Sequence, residues 1–179
     1  MPRLILSALV AACLAPLPGA TLLNLSLDDM IHKSTAIVHG TVQPTSAAFR
    51  GAMIYTHYQV QVTNTYKGAA ARTWDVAVPG GVVNGVQQAV AGAPMLTSGQ
   101  DYFLFLWTSK TGLTQVIGLS QGLFQVTKNS SGQLMVSRGA TSETMLNASG
   151  QIMSDSTIQM TLAQMSSRIQ TVLAGGSGQ

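Results

Sequence analysis

The sequence predicts a mainly β protein, a small antiparallel β-barrel with a short N-terminal helix and a C-terminal amphipathic helix. Three stretches carry this expectation. Residues 54–68 alternate with period two: Ile54, Tyr58, Val60, Val62 and Tyr66 are apolar, whereas His57, Gln59, Gln61, Thr63, Thr65 and Lys67 form a polar row broken only by Tyr55. That is the pattern of a strand with one buried face, and it is too long for a domain of this size to keep straight, so it must coil or bulge as a closed or half-closed barrel requires. Residues 102–107 (Tyr-Phe-Leu-Phe-Leu-Trp) are apolar without alternation, as in a strand covered on both faces. The cover is supplied by Ile158, Leu162, Met165, Ile169 and Val172, which recur at helical spacing.

Composition sets the surroundings. The chain has 179 residues, 46% of them hydrophobic and only 8% charged, which leaves solubility to Ser, Thr, Gln and Asn. Part of the apolar excess lies at the start: Arg3, an apolar run over 4–17 and Pro18-Gly19-Ala20 read as a secretory signal peptide spanning 1–20. The run is too short for a membrane span, and Pro16 and Pro18 oppose a buried helix. The secreted or periplasmic reading has one rival, a lipoprotein signal at Val10-Ala11-Ala12-Cys13 that would make Cys13 a lipid anchor. Cys13 is the only cysteine, so cleavage after Ala20 removes any disulfide, thiolate metal site or cysteine nucleophile. Loss of Arg3 leaves eight basic and six acidic residues, a net charge of +2.

Taken in order, Leu25-Ser26-Leu27-Asp28-Asp29-Met30 has the form of a helix start, with Ser26 and Asp29 as a capping box and Leu25 and Met30 as the staple. A strand follows over 36–43, and Gly40 inside it marks a bend or a close backbone approach. A polar connection through Pro44 and Gly51 leads to the long strand. Trp74, Val76 and Val78 share the face of the next strand, stopped by Pro79-Gly80-Gly81, and Asn84-Gly85 between valines signals a tight hairpin. The uncharged, Gly-rich excursion over 80–99 is expected to be a packed surface loop or a binding loop. After the 102–107 strand, Thr111-Gly112 and Asn129-Ser130-Ser131-Gly132 close two more hairpins. The barrel is thus bounded at 21–137. Residues 138–156 are polar and poorly patterned, a linker to a helix over 157–174 with Ser156 and Gln159 as its capping box. The tail 175–179 is expected to be disordered.

Several of these pieces resemble a family of uncharacterised secreted bacterial proteins: Ser34-Thr35-Ala36-Ile37-Val38-His39-Gly40-Thr41-Val42, Tyr66-Lys67-Gly68, Pro79-Gly80-Gly81, Val90-Ala91-Gly92-Ala93-Pro94 through Leu106, and Gly118-Leu119-Ser120-Gln121-Gly122-Leu123-Phe124. The resemblance covers roughly 26–126, and Gln100 stands where the family pattern has an acid. At greater distance the same order is similar to the OB-like barrels of netrin-like domains and tissue inhibitors of metalloproteinases. The resemblance implies an OB-like barrel. Those inhibitors act through an N-terminal cysteine, which the mature chain lacks, so their function does not carry over.

Chemistry-bearing residues are few. His32, His39 and His57 are the neutral-pH acid-base candidates. Asp28 and His32 stand four apart on one helix face and could be half of a metal site, although a cap-region aspartate and a surface histidine explain the pair without metal and are the preferred reading. His57 falls in a polar row, and His39 falls opposite Val38 and Val42. There is no nucleophile elbow, His-Glu-x-x-His helix or phosphate-cradling loop, and Glu143 is the only glutamate. The basic residues are dispersed, which argues against a nucleic-acid partner. No catalytic, cofactor-binding or metal residue is assigned. The expected function is non-catalytic binding of an extracellular protein or glycan through 80–99. The alternatives are a metal-dependent enzyme or accessory using Asp28 and His32, and a protease-inhibitor-like module.

Overall fold

This computed structural model describes residues 19–175; most of the expected leader, Cys13 and residues 176–179 lie outside that range. In chain order the elements are β1 (Thr21–Leu23), α1 (Leu27–Lys33), β2 (Ala36–Arg50), β3 (Met53–Lys67), β4 (Thr73–Pro79), β5 (Gly81–Val83), β6 (Val86–Gln88) and β7 (Asp101–Thr108). They continue with β8 (Thr114–Val116), β9 (Leu123–Lys128), β10 (Leu134–Arg138), β11 (Thr144–Leu146), β12 (Ile152–Met153), β13 (Ile158–Thr161) and α2 (Leu162–Gly175). No helix among the described residues is long and apolar enough to cross a membrane.

The long alternating strand is β3, and its partner β2 matches it in length rather than stopping at residue 43. Pro44 is tolerated because it falls in a break of register between Val42 and Thr45, where one extra residue is accommodated on β2. Two further shifts, between Ile37 and Val38 and between His39 and Gly40, coil the hairpin. Gly40 serves a close approach: a Cβ there would run into the Gln61 carbonyl.

The main sheet is antiparallel, in the order β13-β10-β9-β7-β2-β3-β4, with β8 paired to β7 beyond the end of β9. The expected barrel is not closed. The curled sheet brings β4 and β8 side by side, and both contribute to one core, but no ladder joins them and no sheet closes among the described residues.

β7 is buried on both faces, as its unbroken apolar run predicts. Tyr102, Leu104 and Leu106 point into the concave side with Val38, Val42, Val60, Val76 and Val116. Phe103 and Phe105 point outward, in a ring cluster with Tyr66 and Phe124 at centroid separations of 4.9–5.6 Å. Met30 and Ile31 of α1 and Met165 and Ile169 of α2 join that outer cluster; α1 approaches β7 itself, and α2 lies against α1, β10 and β13.

The helix starts later than expected. Ile158–Thr161 is a strand paired to β10, with Met160 opposite Val136, and the capping box is Thr161 with Gln164, whose backbone-to-side-chain bonds are 2.8 and 3.0 Å. Residues 138–156 are likewise more than a linker. They carry β11, parallel to β1, and β12, with Met145 fully buried. Their base is held by a buried bidentate ion pair, Arg138 to Asp155 at 2.9 and 3.0 Å.

Candidate functional site

The residues singled out in the sequence are not brought together. Asp28, at the start of α1, accepts from Arg168 of α2 on both carboxylate oxygens, with Arg168 Nε at 2.9 Å. This interhelical pair uses the oxygens a metal would need, and His32 projects exposed from the same helix. No group of three His, Cys, Asp or Glu side chains that could hold a metal occurs among the described residues. The Ser26–Asp29 capping box is as expected, and Lys67, of the Tyr66-Lys67-Gly68 motif, closes the other end of α1 by donating to the Ile31 and His32 carbonyls at 2.7 and 2.8 Å.

His39 is buried between Phe103 and Asn64 in register, with neither ring nitrogen hydrogen-bonded. Asp101 Oδ2 lies 4.0 Å from its Nε2. Burial pushes the imidazole pKa down, and the Asp101 charge opposes this without overcoming it.

His57 is less solitary than its polar row suggested. Its Nδ1 lies 2.9 Å from Asp75 Oδ2, because the β3–β4 register sets Asp75 diagonally across from it. The pair lines a cleft of about 350 Å³ along the seam between β4 and β8, with Arg50, Trp74 and Thr114. A carboxylate on Nδ1 fixes the imidazole and leaves Nε2 as its free nitrogen. The Thr114 hydroxyl shares a hydrogen bond with the Thr108 hydroxyl at 2.9 Å. Pairing at one diagonal step could have been found from sequence only with the register in hand.

Within the 80–99 excursion, Gly81–Val83 and Val86–Gln88 form a hairpin, and Leu96 is buried. Asn84 (φ 50°) and Gly85 (φ 80°) make the tight turn of the β5–β6 hairpin, as the Asn-Gly pair predicts. The hairpin is bolted to the β2–β3 tip: the Gly80 amide donates to the Ile54 carbonyl, the Ile54 amide donates to Gln88 Oε1 at 2.6 Å, and Gln88 Nε2 donates to the Ala52 carbonyl. This rigid end exposes Val82 (58%), Val86 (48%), Phe49 (47%) and Met53 (37%) to solvent.

A second feature was not anticipated. Between β8 and β9 the segment 118–121 loops out of the β7 edge, closed by Gly122 N–H to the Ile117 carbonyl at 3.1 Å. The fully buried Gln121 side chain reaches the N-terminal segment, accepting from the Leu25 amide at 2.8 Å and donating to the Leu23 carbonyl at 3.0 Å. Leu119 holds φ +58°, a strained value for a bulky residue. Together these build one wall of an apolar groove of about 610 Å³, with Leu23, Leu25, Trp107 and Ile117 in its lining and Lys33 among them. The Gly-Leu-Ser-Gln-Gly motif is thus the frame of a groove as well as a core feature. No protein-family model matches the chain, and neither a curated protein nor a solved structure matches it.

Proposed function

We propose that the chain is a secreted, non-catalytic binding domain that engages a protein partner through the apolar end formed by the β2–β3 tip and the β5–β6 hairpin. The observation that carries this is the exposure of Val82, Val86, Phe49 and Met53 on backbone locked by the Gln88 and Gly80 hydrogen bonds. Apolar side chains grouped on a rigid surface mark interaction sites, since a pre-ordered surface loses little entropy on binding. An OB-like origin is supported by the path β4-β3-β2-β7-β9 and the facing edges of β4 and β8, as in a partly open barrel. Secretion rests on the leader over 1–20.

The test is capture from the source's own secreted fraction by the immobilised protein, in parallel with a Val82→Asp/Val86→Asp variant. A partner held by the native protein and lost from the variant, at an unchanged melting temperature, is the expected result. A partner retained equally by both moves the interface elsewhere.

A further inference from the structure

We propose that the groove between β1 and the 117–119 turn binds an acyl carboxylate, its hydrocarbon chain lying against Leu23, Leu25, Trp107, Ile117 and Leu119 and its carboxylate meeting Lys33. The volume, about 610 Å³, lies in the range of small-molecule sites. The wall is fixed before any ligand arrives. Gln121 ties Leu23 and Leu25 to the turn, and Gly118 and Gly122 admit no side chain, because a Cβ at either would crowd Gln121 or Ile117 at 2.8–2.9 Å. Leu119 is held in a left-handed conformation that its neighbours must over-determine.

The chemistry of the lining selects the ligand class. It is mostly aliphatic, with Gln115 as its neutral polar side chain and the half-exposed Trp107 indole as its aromatic member, which suits methylene chains better than a polar ring. Lys33 is its one charged residue. The Lys33 ammonium already contacts Asp29 at 3.2 Å, but both side chains are about half exposed and two N–H donors remain, so a second carboxylate can share it. The apolar surface continues out of the groove, since Leu23 is in register with Leu146 and Leu146 with the exposed Ile152. A chain longer than the groove therefore has a surface to follow.

The test uses the purified protein, calorimetry with straight-chain saturated carboxylates and the matching alcohols below their aggregation limits, and Trp107 emission read in a Trp74→Phe variant. Affinity should rise about fourfold per added methylene until the groove is filled. Each carboxylate should bind about fivefold more tightly than its alcohol, a gap that Lys33→Gln erases while leaving the alcohol affinity unchanged. Trp107 emission should shift to the blue on saturation. The proposal is overturned by any of four results: no saturable binding, equal affinity for acid and alcohol, indifference to Lys33→Gln, or binding that leaves Trp107 silent. Concentration-dependent self-association that excludes the carboxylates would assign the groove to a second copy of the chain and also overturn it.

Discussion

His39 sits in the middle of the β2–β7 ladder with two unpaired ring nitrogens and a carboxylate 4.0 Å away. Its folded pKa is depressed by burial, more than Asp101 restores it. The unfolded chain therefore takes up a proton near the ordinary value of 6.5 while the folded chain does not. The contribution is fully present above that value and is lost as pH falls from it toward the depressed folded pKa. Stability from urea unfolding should accordingly decline below about pH 6.5, by at most about 1.4 kcal/mol per pH unit. The slope should flatten in His39→Gln; an unchanged slope there would remove His39 as its source. The sequence placed His39 opposite Val38 and Val42 but gave its face no character. What makes that face a core is Phe103 on a strand more than sixty residues away. Asp75 beside His57 is the same case, since each residue is legible alone and the diagonal between them belongs to the register.

At the level of elements, local chemistry was readable where it had no competitor. Ser26 and Asp29 stand alone before an apolar turn, and they cap α1 as their spacing requires. The C-terminal helix was expected to start at Ser156 with Gln159, but the pair that caps it is Thr161 with Gln164. Ile158 fits both the helical stripe and, with Met160, a strand alternation. The decision is made by β10: Val136 and Arg138 supply ladder partners that hold 158–161 extended, so the helix begins only after Thr161. Removing the cap that is used should cost about 1 kcal/mol, whereas removing the unused one should fall within about 0.5 kcal/mol of zero. Thr161→Ala should therefore lower the urea midpoint measurably and Ser156→Ala should not. The reverse order would restore the earlier helix start.

For the molecule as a whole, the length of β3 announced a coiled sheet, and the double-faced apolar run of β7 announced a layer on each side. Whether the sheet would close was not readable, because closure depends on pairing between β4 and β8, strands about forty residues apart with no shared local signal. Their side chains do meet, Val76 and Val78 with Val116 in the concave core, and Arg50 reaches over to the Thr111 carbonyl at 3.3 Å. Their backbones remain unpaired across the seam. Core packing without a ladder has a distinct signature in amide exchange, since protection follows hydrogen bonding and local opening rather than side-chain burial alone. The amides of β7 and of residues 36–41 of β2, in strand segments paired on both edges, should exchange only through global unfolding. Those of β4 and β8 that face the seam should exchange at rates set by local opening and insensitive to small amounts of denaturant, even though Val76 is fully buried. Equal protection on β7 and at the seam would show that the barrel closes in solution. In that event the His57–Asp75 cleft would lie beside a continuous wall instead of a gap, and Arg50 would be a clasp on a closed barrel rather than a bridge across an open one.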